Sequence, residues 1–255
     1  MADAPVLTER RDDVLLVTLN RPEARNAIDL ALAQGVAAAM DELDGDEALR
    51  LGVLTGAGRG FCAGMDLKAF LAGERPWVGD RGFAGLVERP PRKPLIAAVE
   101  GFALAGGLEV VLACDLVVAS QGTRLGIPEV KRSLVPAAGA LLRLPQRLPY
   151  ALAMELALTG DPIQAERAAE LGLVNRLTEP GRAVEGALDL AAGISRNGPV
   201  AVQAATRLLR GSREWTEAEF WRRQDEIALP VFGSLDAQEG ASAFAERRDP
   251  VWRGR

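Results

Sequence analysis

The stretch that decides the fold is "PLIAAVEGFALAGGLEVVLACDLVVAS", residues 94–120. It opens with the apolar run 94–101, which predicts a strand, and closes with 116–120, which predicts another. Between them, glycines and alanines predict a tight turn, and an apolar segment that begins near Gly106 predicts a buried helix. This order of strand, helix and strand predicts an α/β fold with parallel pairing.

The rest of the first half repeats this pattern. The runs 13–20 and 49–56 are apolar enough to predict strands that are buried on both faces. Residues 29–46 predict an amphipathic helix with an aspartate as its N-cap. From Tyr150 the pattern is almost entirely helical. We therefore predict one α/β domain with a helical C-terminal region that packs on it or on a neighbouring subunit.

The composition of the chain excludes several classes of function. The chain has 255 residues, of which 48% are hydrophobic and 25% charged, and a net charge of −5 that does not suggest a nucleic-acid partner. We expect no signal peptide, because no apolar run follows a basic segment at the start, and no membrane span, because no apolar stretch is long enough. The two cysteines form no disulfide framework, so we expect a reducing, cytoplasmic compartment. The absence of histidine excludes Ser-His and Cys-His nucleophile pairs and most zinc sites. If the protein catalyses proton transfer, the side chains that could do so are carboxylates, Lys, Tyr or Cys.

Two glycine-rich turns follow predicted strands, in "TGAGRGFCAGMDL" (55–67) and "GFALAGGLEVVLACD" (101–115). A strand-to-helix turn leaves backbone N–H groups without partners, and the helix dipole favours negative charge there. Turns aimed at one point would form an oxyanion hole from residues 63–66 and 105–107. The alternative is two ordinary strand-to-helix turns.

Two glutamates could carry the acid–base chemistry. Glu109 lies in the first turn of an apolar helix, so burial would raise its pKa, although a Glu here could also simply complement the helix dipole. Glu129 follows Pro128, and its local pattern favours a solvated acid that pairs with Lys131 or Arg132. Together, two acids and an oxyanion hole suit addition of water to a carbon–carbon double bond conjugated to a carbonyl, with no metal or redox cofactor.

At these residues the sequence resembles the enoyl-CoA hydratase/isomerase (crotonase) superfamily over essentially the whole chain. The similar segments are "LNRPEARNAI", "GRGFCAGMDL", the stretch 94–120, "LGIPEVKRSLVP", "LTGDPIQAERAAELGLVNRL" and "EGASAFAERRDPVWRGR". The resemblance implies a ββα spiral core over residues 1–198 and a helical trimerisation region over 199–255. It also implies a homotrimer or a dimer of trimers, an acyl-CoA thioester substrate and no separate cofactor.

The resemblance also implies roles for particular residues. Glu109 matches the acid that activates water, and Glu129 matches the acid that protonates the α-carbon. The oxyanion N–H groups would belong to Met65 and Gly106. The positions that match those lining the CoA site are Ala24, Arg25, Ala63, Asp66 and Leu67.

Having both acids favours a hydratase over a Δ3–Δ2 enoyl-CoA isomerase, for which one acid suffices. The acidic net charge and the lack of a basic run argue against a non-catalytic CoA- or RNA-binding scaffold. The tail and "RGFAGL" (81–86) resemble the carnitinyl-CoA dehydratase branch, whose substrate carries a quaternary ammonium. That alternative ranks second because only 5% of the residues are aromatic and none clusters beside the catalytic motifs. Ala105 and the alanines of "LVPAAGALL" stand where the family often has glycine, which bears on the acyl chain length.

Overall fold

The computed structural model describes residues 4–255. They form two compact units: one contains the chain up to Pro91 together with Leu95–Ala191, and the other contains Arg92–Pro94 and Ala192–Arg255. The strands are β1 Val6–Arg11, β2 Val14–Leu19, β3 Leu51–Gly56, β4 Trp77–Val78, β5 Gly82–Phe83, β6 Leu95–Val99, β7 Phe102–Leu104, β8 Leu116–Ser120, β9 Arg124–Gly126, β10 Ile163–Gln164 and β11 Arg176–Thr178.

Ten α-helices occur among residues 4–255, and the one at Ala183–Ser195 crosses the division between the two units. Short 3₁₀ turns lie at Pro22–Ala24, Gly79–Arg81 and Pro128–Arg132. The helices of the whole chain are α1 Leu30–Gly45, α2 Leu67–Leu71, α3 Gly106–Ala113, α4 Ala140–Arg147, α5 Tyr150–Thr159, α6 Ala165–Glu170, α7 Ala183–Ser195, α8 Pro199–Gly211, α9 Glu217–Phe232 and α10 Leu235–Glu246.

The main sheet has the strand order β1-β2-β3-β6-β8-β11, in which β1 pairs antiparallel with β2 and every other pair is parallel. A smaller sheet has the order β10-β9-β7, with β7 and β9 parallel. All five residues of β6 are buried, as expected for a parallel strand covered on both faces. The predicted α/β class and parallel pairing are confirmed.

The stretch 94–120 forms β6, β7, α3 and β8, so it holds two neighbouring strands of the main sheet and the connection between them. Because β3 and β6 are parallel, their carboxyl ends meet at one edge of the sheet. The chain leaves β3 at Gly56 and β6 at Val99, so both glycine-rich turns start from that edge.

Helix α1 matches the predicted helix closely. Asp29 is its N-cap, and the Asp29 side chain accepts a hydrogen bond from the Leu32 N–H at 2.8 Å. Leu32, Val36 and Met40 follow one another at four-residue spacing, and all are buried in the core.

The second unit is helical. Thr216 and Glu219 form a capping box at the start of α9. The buried Asp236 carboxylate accepts hydrogen bonds from the N–H groups of Arg253 (2.7 Å) and Gly254 (3.0 Å), which fixes the C-terminal tail to the start of α10. This unit begins slightly before position 199, and the trimerisation role predicted for 199–255 stays a prediction. Within residues 4–255 no helix is long and apolar enough to cross a membrane.

The backbone is strained at the start of α3. Ala105 has φ 53° and ψ −131°, a conformation that glycine adopts easily and that alanine rarely does. The Ala105 N–H donates to the Gly126 carbonyl at 2.9 Å, and its own carbonyl accepts from Leu108 and Glu109 at 2.9 and 3.2 Å. These three bonds order the first turn of α3. They also keep the backbone of Ala105 in this unfavourable φ/ψ region.

We therefore expect Ala105→Gly to raise the free energy of unfolding by about 1 kcal/mol, since relief of strain outweighs the added entropy of the unfolded chain. Urea unfolding measures the change. The matched control is Ala103→Gly in β7, where the alanine is buried and no strain is relieved. That variant should lose stability, and a loss of stability in both variants would contradict the strain at Ala105.

Candidate active site

The two glycine-rich turns come together beside β7. The N–H groups of Phe61 and Cys62 donate to the Phe102 carbonyl at 3.0 and 3.3 Å, and the Leu104 N–H donates to the Cys62 carbonyl at 3.0 Å. The first turn therefore runs next to the strand that leads into α3. A Cβ atom built on Gly64 would lie 3.0 Å from the Gly106 nitrogen. The structure thus brings together the two predicted oxyanion segments.

The direction of the Met65 N–H follows from a single parallel β-bridge. Ile28 donates its N–H to the Gly64 carbonyl at 2.8 Å, and the Asp66 N–H donates to the Ile28 carbonyl at 2.9 Å. Ile28 therefore bonds to Gly64 and Asp66, the two neighbours of Met65, and not to Met65 itself. In a parallel bridge of this kind the N–H of Met65 faces away from Ile28. The sequence prediction attributed this free N–H to a helix start, whereas the bridge to Ile28 is its structural cause.

Gly106 is the first residue of α3, so its N–H has no partner within the helix. Among residues 4–255, no acceptor takes a hydrogen bond from the backbone N–H of Met65 or of Gly106. Two free donors on adjacent loops are what an oxyanion hole requires.

Glu109 is buried, with 3% of its surface exposed, at the predicted position in the first turn of α3. Its Oε1 accepts hydrogen bonds from the N–H groups of Ala138 (2.7 Å) and Ala140 (3.1 Å). Burial raises the pKa of Glu109, while these donors and the charge of Arg143 act in the opposite direction. Two of the three alanines of "LVPAAGALL", Ala138 and Ala140, thus bond to Glu109 through their backbone N–H groups.

Glu129 lies on the 3₁₀ turn Pro128–Arg132 and is half-buried. Its Oε2 is buried without a hydrogen-bond partner among residues 4–255. Burial raises the pKa of Glu129 to about 7, and the charge of Glu109 adds to this effect, so the two carboxyl groups lie within electrostatic reach. The solvated acid that the local pattern favours was wrong, because Glu129 is half-buried. Of its two expected partners, Lys131 forms its ion pair with Asp161, and the charge of Arg132 only partly offsets the rise in the pKa of Glu129.

The positions matched to the CoA site lie around the first turn. Ala24 and Arg25 end the turn at Pro22–Ala24, and the Ala63 N–H donates to the Arg25 carbonyl at 3.1 Å. Asp66 caps α2, and Leu67 begins that helix with its side chain exposed. A cleft of about 410 Å³ lies nearby, lined by Pro22, Glu23, Arg25, Ala57, Gly58, Arg59, Gly60 and Phe102.

Two other features correct or extend the sequence analysis. A Cβ atom on Gly106 would lie 2.6 Å from the ring of Phe83, which packs edge-on against Trp77 with ring centroids 5.1 Å apart. Aromatic residues therefore do cluster beside a catalytic motif, which the spacing of more than 20 residues along the chain concealed.

Cys62 is unsuited to nucleophilic chemistry. It is completely buried, and this burial raises the pKa of its thiol to about 12. Its sulfur accepts a hydrogen bond from the Gly64 N–H at 3.3 Å, so it supports the first turn. Within residues 4–255, no group of three His, Cys, Asp or Glu side chains could hold a metal ion.

Comparison with known proteins identifies the family. Residues 9–255 match the enoyl-CoA hydratase/isomerase family model. The chain is 45% identical to enoyl-CoA hydratase EchA19 of Mycobacterium tuberculosis, covering 98% of this chain and 96% of that protein. It is 40% identical to the carnitinyl-CoA dehydratase of Salmonella heidelberg, covering 96% and 97%.

The solved structure of an enoyl-CoA hydratase from Mycobacterium tuberculosis H37Rv superposes with a TM-score of 0.97 at 58% identity, covering 99% of this chain and 100% of that one. The chain therefore belongs to the enoyl-CoA hydratase/isomerase family. The crotonase-like fold implied by the sequence is confirmed.

The surroundings of Glu129 predict a pH-dependent effect on stability. Its pKa rises from 4.5, the ordinary value, to about 7 on folding, so between these values the folded state binds more protons than the unfolded chain. The contribution of this group to stability is therefore fully present below pH 4.5 and is lost as the pH rises through 7.

Glu129→Gln removes the buried charge, so it should raise the free energy of unfolding at pH 8 by about 1 kcal/mol and change it little at pH 5. Urea unfolding at both pH values measures this. Glu42→Gln, at an exposed position of α1, is the control and should have equal effects at the two pH values. An equal effect of Glu129→Gln at pH 5 and pH 8 would contradict the raised pKa.

Proposed function

We propose that this protein is an enoyl-CoA hydratase, which adds water across the 2,3 double bond of a 2-enoyl-CoA thioester to give a 3-hydroxyacyl-CoA. One observation carries the proposal: the buried carboxyl group of Glu109 lies in the first turn of α3, whose first N–H, at Gly106, has no partner among residues 4–255. A second acid, Glu129, has different surroundings, and a pair of acids in unequal surroundings is suited to hold one ionised carboxylate and one proton.

The hydrogen bonds of the two glutamates support different roles for them. Glu109 accepts two N–H donors on Oε1, which favours its carboxylate, and leaves Oε2 to take a proton from water. Oε2 of Glu129 is buried with no partner from residue 4 onwards, which favours the protonated form of this acid. We assign Glu109 as the base that deprotonates the attacking water and Glu129 as the acid.

In the proposed reaction the water oxygen bonds to the β-carbon as its proton passes to Glu109. The electron pair of the carbon–carbon double bond shifts to the bond between the α-carbon and the carbonyl carbon, and the π pair of the carbonyl group moves onto the thioester oxygen. The N–H groups of Met65 and Gly106 stabilise this enolate by hydrogen bonding. The enolate collapses as the α-carbon takes the proton of Glu129. Transfer of a proton from Glu109 back to Glu129 through solvent restores the starting state.

The cleft beside the first turn supports a CoA thioester. Arg25 and Arg59 line it, and guanidinium groups suit the phosphates of CoA. Arg25 was among the matched CoA positions, whereas Arg59 was not.

A carnitinyl-CoA dehydratase-like activity is the second candidate. It is supported by the 40% identity to the Salmonella enzyme and by the pair of Trp77 and Phe83 beside Gly106. An aromatic face attracts a quaternary ammonium group, and Trp77 is partly exposed at 39%.

A single assay tests both candidates. Loss of the enoyl-thioester absorbance is followed with 2-enoyl-CoAs of increasing chain length and with crotonobetainyl-CoA. We expect turnover of one or more 2-enoyl-CoAs and a fall of about 10²–10⁴-fold in Glu109→Gln and in Glu129→Gln. Wild-type hydration should decline as the pH rises above about 7, where Glu129 loses its proton.

The matched control is Glu166→Gln, because Glu166 also lies in a first helical turn and accepts a backbone N–H, from Gly122. It should retain activity. Turnover of crotonobetainyl-CoA alone would favour the second candidate. Isomerisation of a 3-enoyl-CoA in heavy water without hydration would replace the hydratase proposal.

We also propose the homotrimer or dimer of trimers that the family resemblance implies. Support comes from apolar side chains exposed along α4 and α5, namely Leu141, Leu142, Tyr150, Met154 and Leu158. Tyr150, Met154 and Leu158 recur at four-residue spacing, so they share one face of α5, and exposed apolar side chains of this kind are typical of protein interfaces.

Light scattering on the purified protein should accordingly give a mass of three or six chains of 27.1 kDa. Leu158→Glu, which puts a charge on this face of α5, should shift the mass towards the monomer. A monomeric wild-type protein would contradict the proposal.

A further inference from the structure

The guanidinium group of Arg21 joins two segments of the proposed oxyanion site. On one side, its Nη1 donates to the Ala27 carbonyl at 2.6 Å and pairs with the Asp29 carboxylate at 2.8 Å. On the other, Nη1 and Nη2 each lie 3.2 Å from Oδ2 of Asp66. One cation therefore links residues that are far apart in the sequence.

These contacts surround the β-bridge between Ile28 and Met65. Ala27 and Asp29 are the two neighbours of Ile28, and Asp66 follows Met65 directly. Arg21 thus contacts both flanks of one bridge residue and one flank of the other. Because this bridge sets the direction of the Met65 N–H, a shift in either segment would turn that donor.

The cluster is largely shielded from water. The side chains of Arg21, Asp29 and Asp66 are 21%, 19% and 15% exposed. Burial alone would raise the pKa of Asp66, but the N–H donors of Ala69 and Lys68 together with Arg21 outweigh it and hold the pKa below its ordinary value. Asp66 therefore stays ionised, and an ion pair at this depth is less screened than one at the surface.

The geometry requires arginine rather than any cation. A guanidinium group offers five N–H donors in a rigid planar fork, so it can serve a carbonyl and two carboxylates at once. A lysine ammonium at this position would keep the charge but would lose the fixed arrangement of the donors.

We propose that Arg21 is a positioning residue for the oxyanion hole, which acts by clamping the Ile28–Met65 bridge so that the Met65 N–H faces the turn at Gly106. The catalytic consequence rests on the proposed hydratase function, whereas the structural consequence does not. The two can therefore be measured separately.

The structural test uses selective ¹⁵N labelling of methionine. The chain has four methionines, and Met40, Met65 and Met154 supply the backbone amide signals that follow the N-terminus. We expect Arg21→Lys to shift or broaden the Met65 amide resonance, assigned with Met65→Leu, and to leave Met40 and Met154 in place as reporters of intact folding.

The catalytic test compares kcat with KM. With the best 2-enoyl-CoA of the panel, Arg21→Lys should lower kcat by about 10–100-fold, since a small misplacement of a catalytic donor has this cost, and should change KM by less than about threefold. Asp66→Asn, which retains Arg21 but weakens the clamp, should move the same Met65 resonance and serves if Arg21→Lys does not fold.

The matched control is Arg50→Lys. Arg50 pairs with Asp13 at 3.3 Å at comparable exposure, 27% and 29%, but it lies at the amino ends of β2 and β3, away from the site. An unchanged Met65 resonance in folded Arg21→Lys, or a kcat no lower than that of Arg50→Lys, would overturn the proposal. If the wild-type protein hydrates no enoyl-CoA, the hydratase proposal fails, and the Met65 resonance alone decides the role of Arg21.

Discussion

Strands β3 and β6 lie side by side and parallel, and the rest of the site depends on this pairing. Their register, with Val53 opposite Ile96 and Leu54 opposite Ala97, places both carboxyl ends at one edge of the sheet. Each strand continues there into a glycine-rich turn. Several N–H groups of these turns are hydrogen-bonded, whereas those of Met65 and Gly106 have no partner among residues 4–255. The first is left free by the bridge to Ile28 and the second by the start of α3. Those donors become a site only because the turns also bond to each other through β7.

The site achieves its precision with backbone rather than with reactive side chains. Glu109 is held by two N–H groups at the start of α4, and the proposed oxyanion donors are N–H groups held by a bridge and by a helix start. Side chains such as Arg21 and Cys62 hold these loops by hydrogen bonds: Arg21 bonds to the Ala27 carbonyl and to Asp66, and the Cys62 sulfur accepts from the Gly64 N–H. The strained conformation of Ala105 fits this arrangement, because regular geometry at that residue would turn the first N–H groups of α3 elsewhere.

The two glutamates illustrate how one residue type can hold two roles. Both are shielded from water, and burial raises the pKa of each. They differ in hydrogen bonding: Oε1 of Glu109 accepts two N–H donors, whereas Oε2 of Glu129 has no partner in the described part of the chain. Mutual repulsion then favours a state in which only one of the two is ionised. Because of that asymmetry, a chain without histidine can supply both a base and an acid from glutamate side chains alone.

Much of this could be predicted from the sequence alone. Apolar periodicity placed α1 within one residue at each end, predicted the buried strands β3, β6 and β8, and put Glu109 in the first turn of a buried helix, because those features depend on neighbouring residues. The half-burial of Glu129, the packing of Phe83 against Gly106, the direction of the Met65 N–H and the contacts of Arg21 depended on the tertiary structure. The pairings of Phe83 with Gly106, of Ile28 with Met65 and of Arg21 with Asp66 each join segments more than 20 residues apart. Local pattern contains no information on which distant groups will meet. The sequence by itself therefore determined the elements and the chemical groups available, and only the folded chain decided their environments, since burial and hydrogen bonding across the sheet edge set both pKa and orientation.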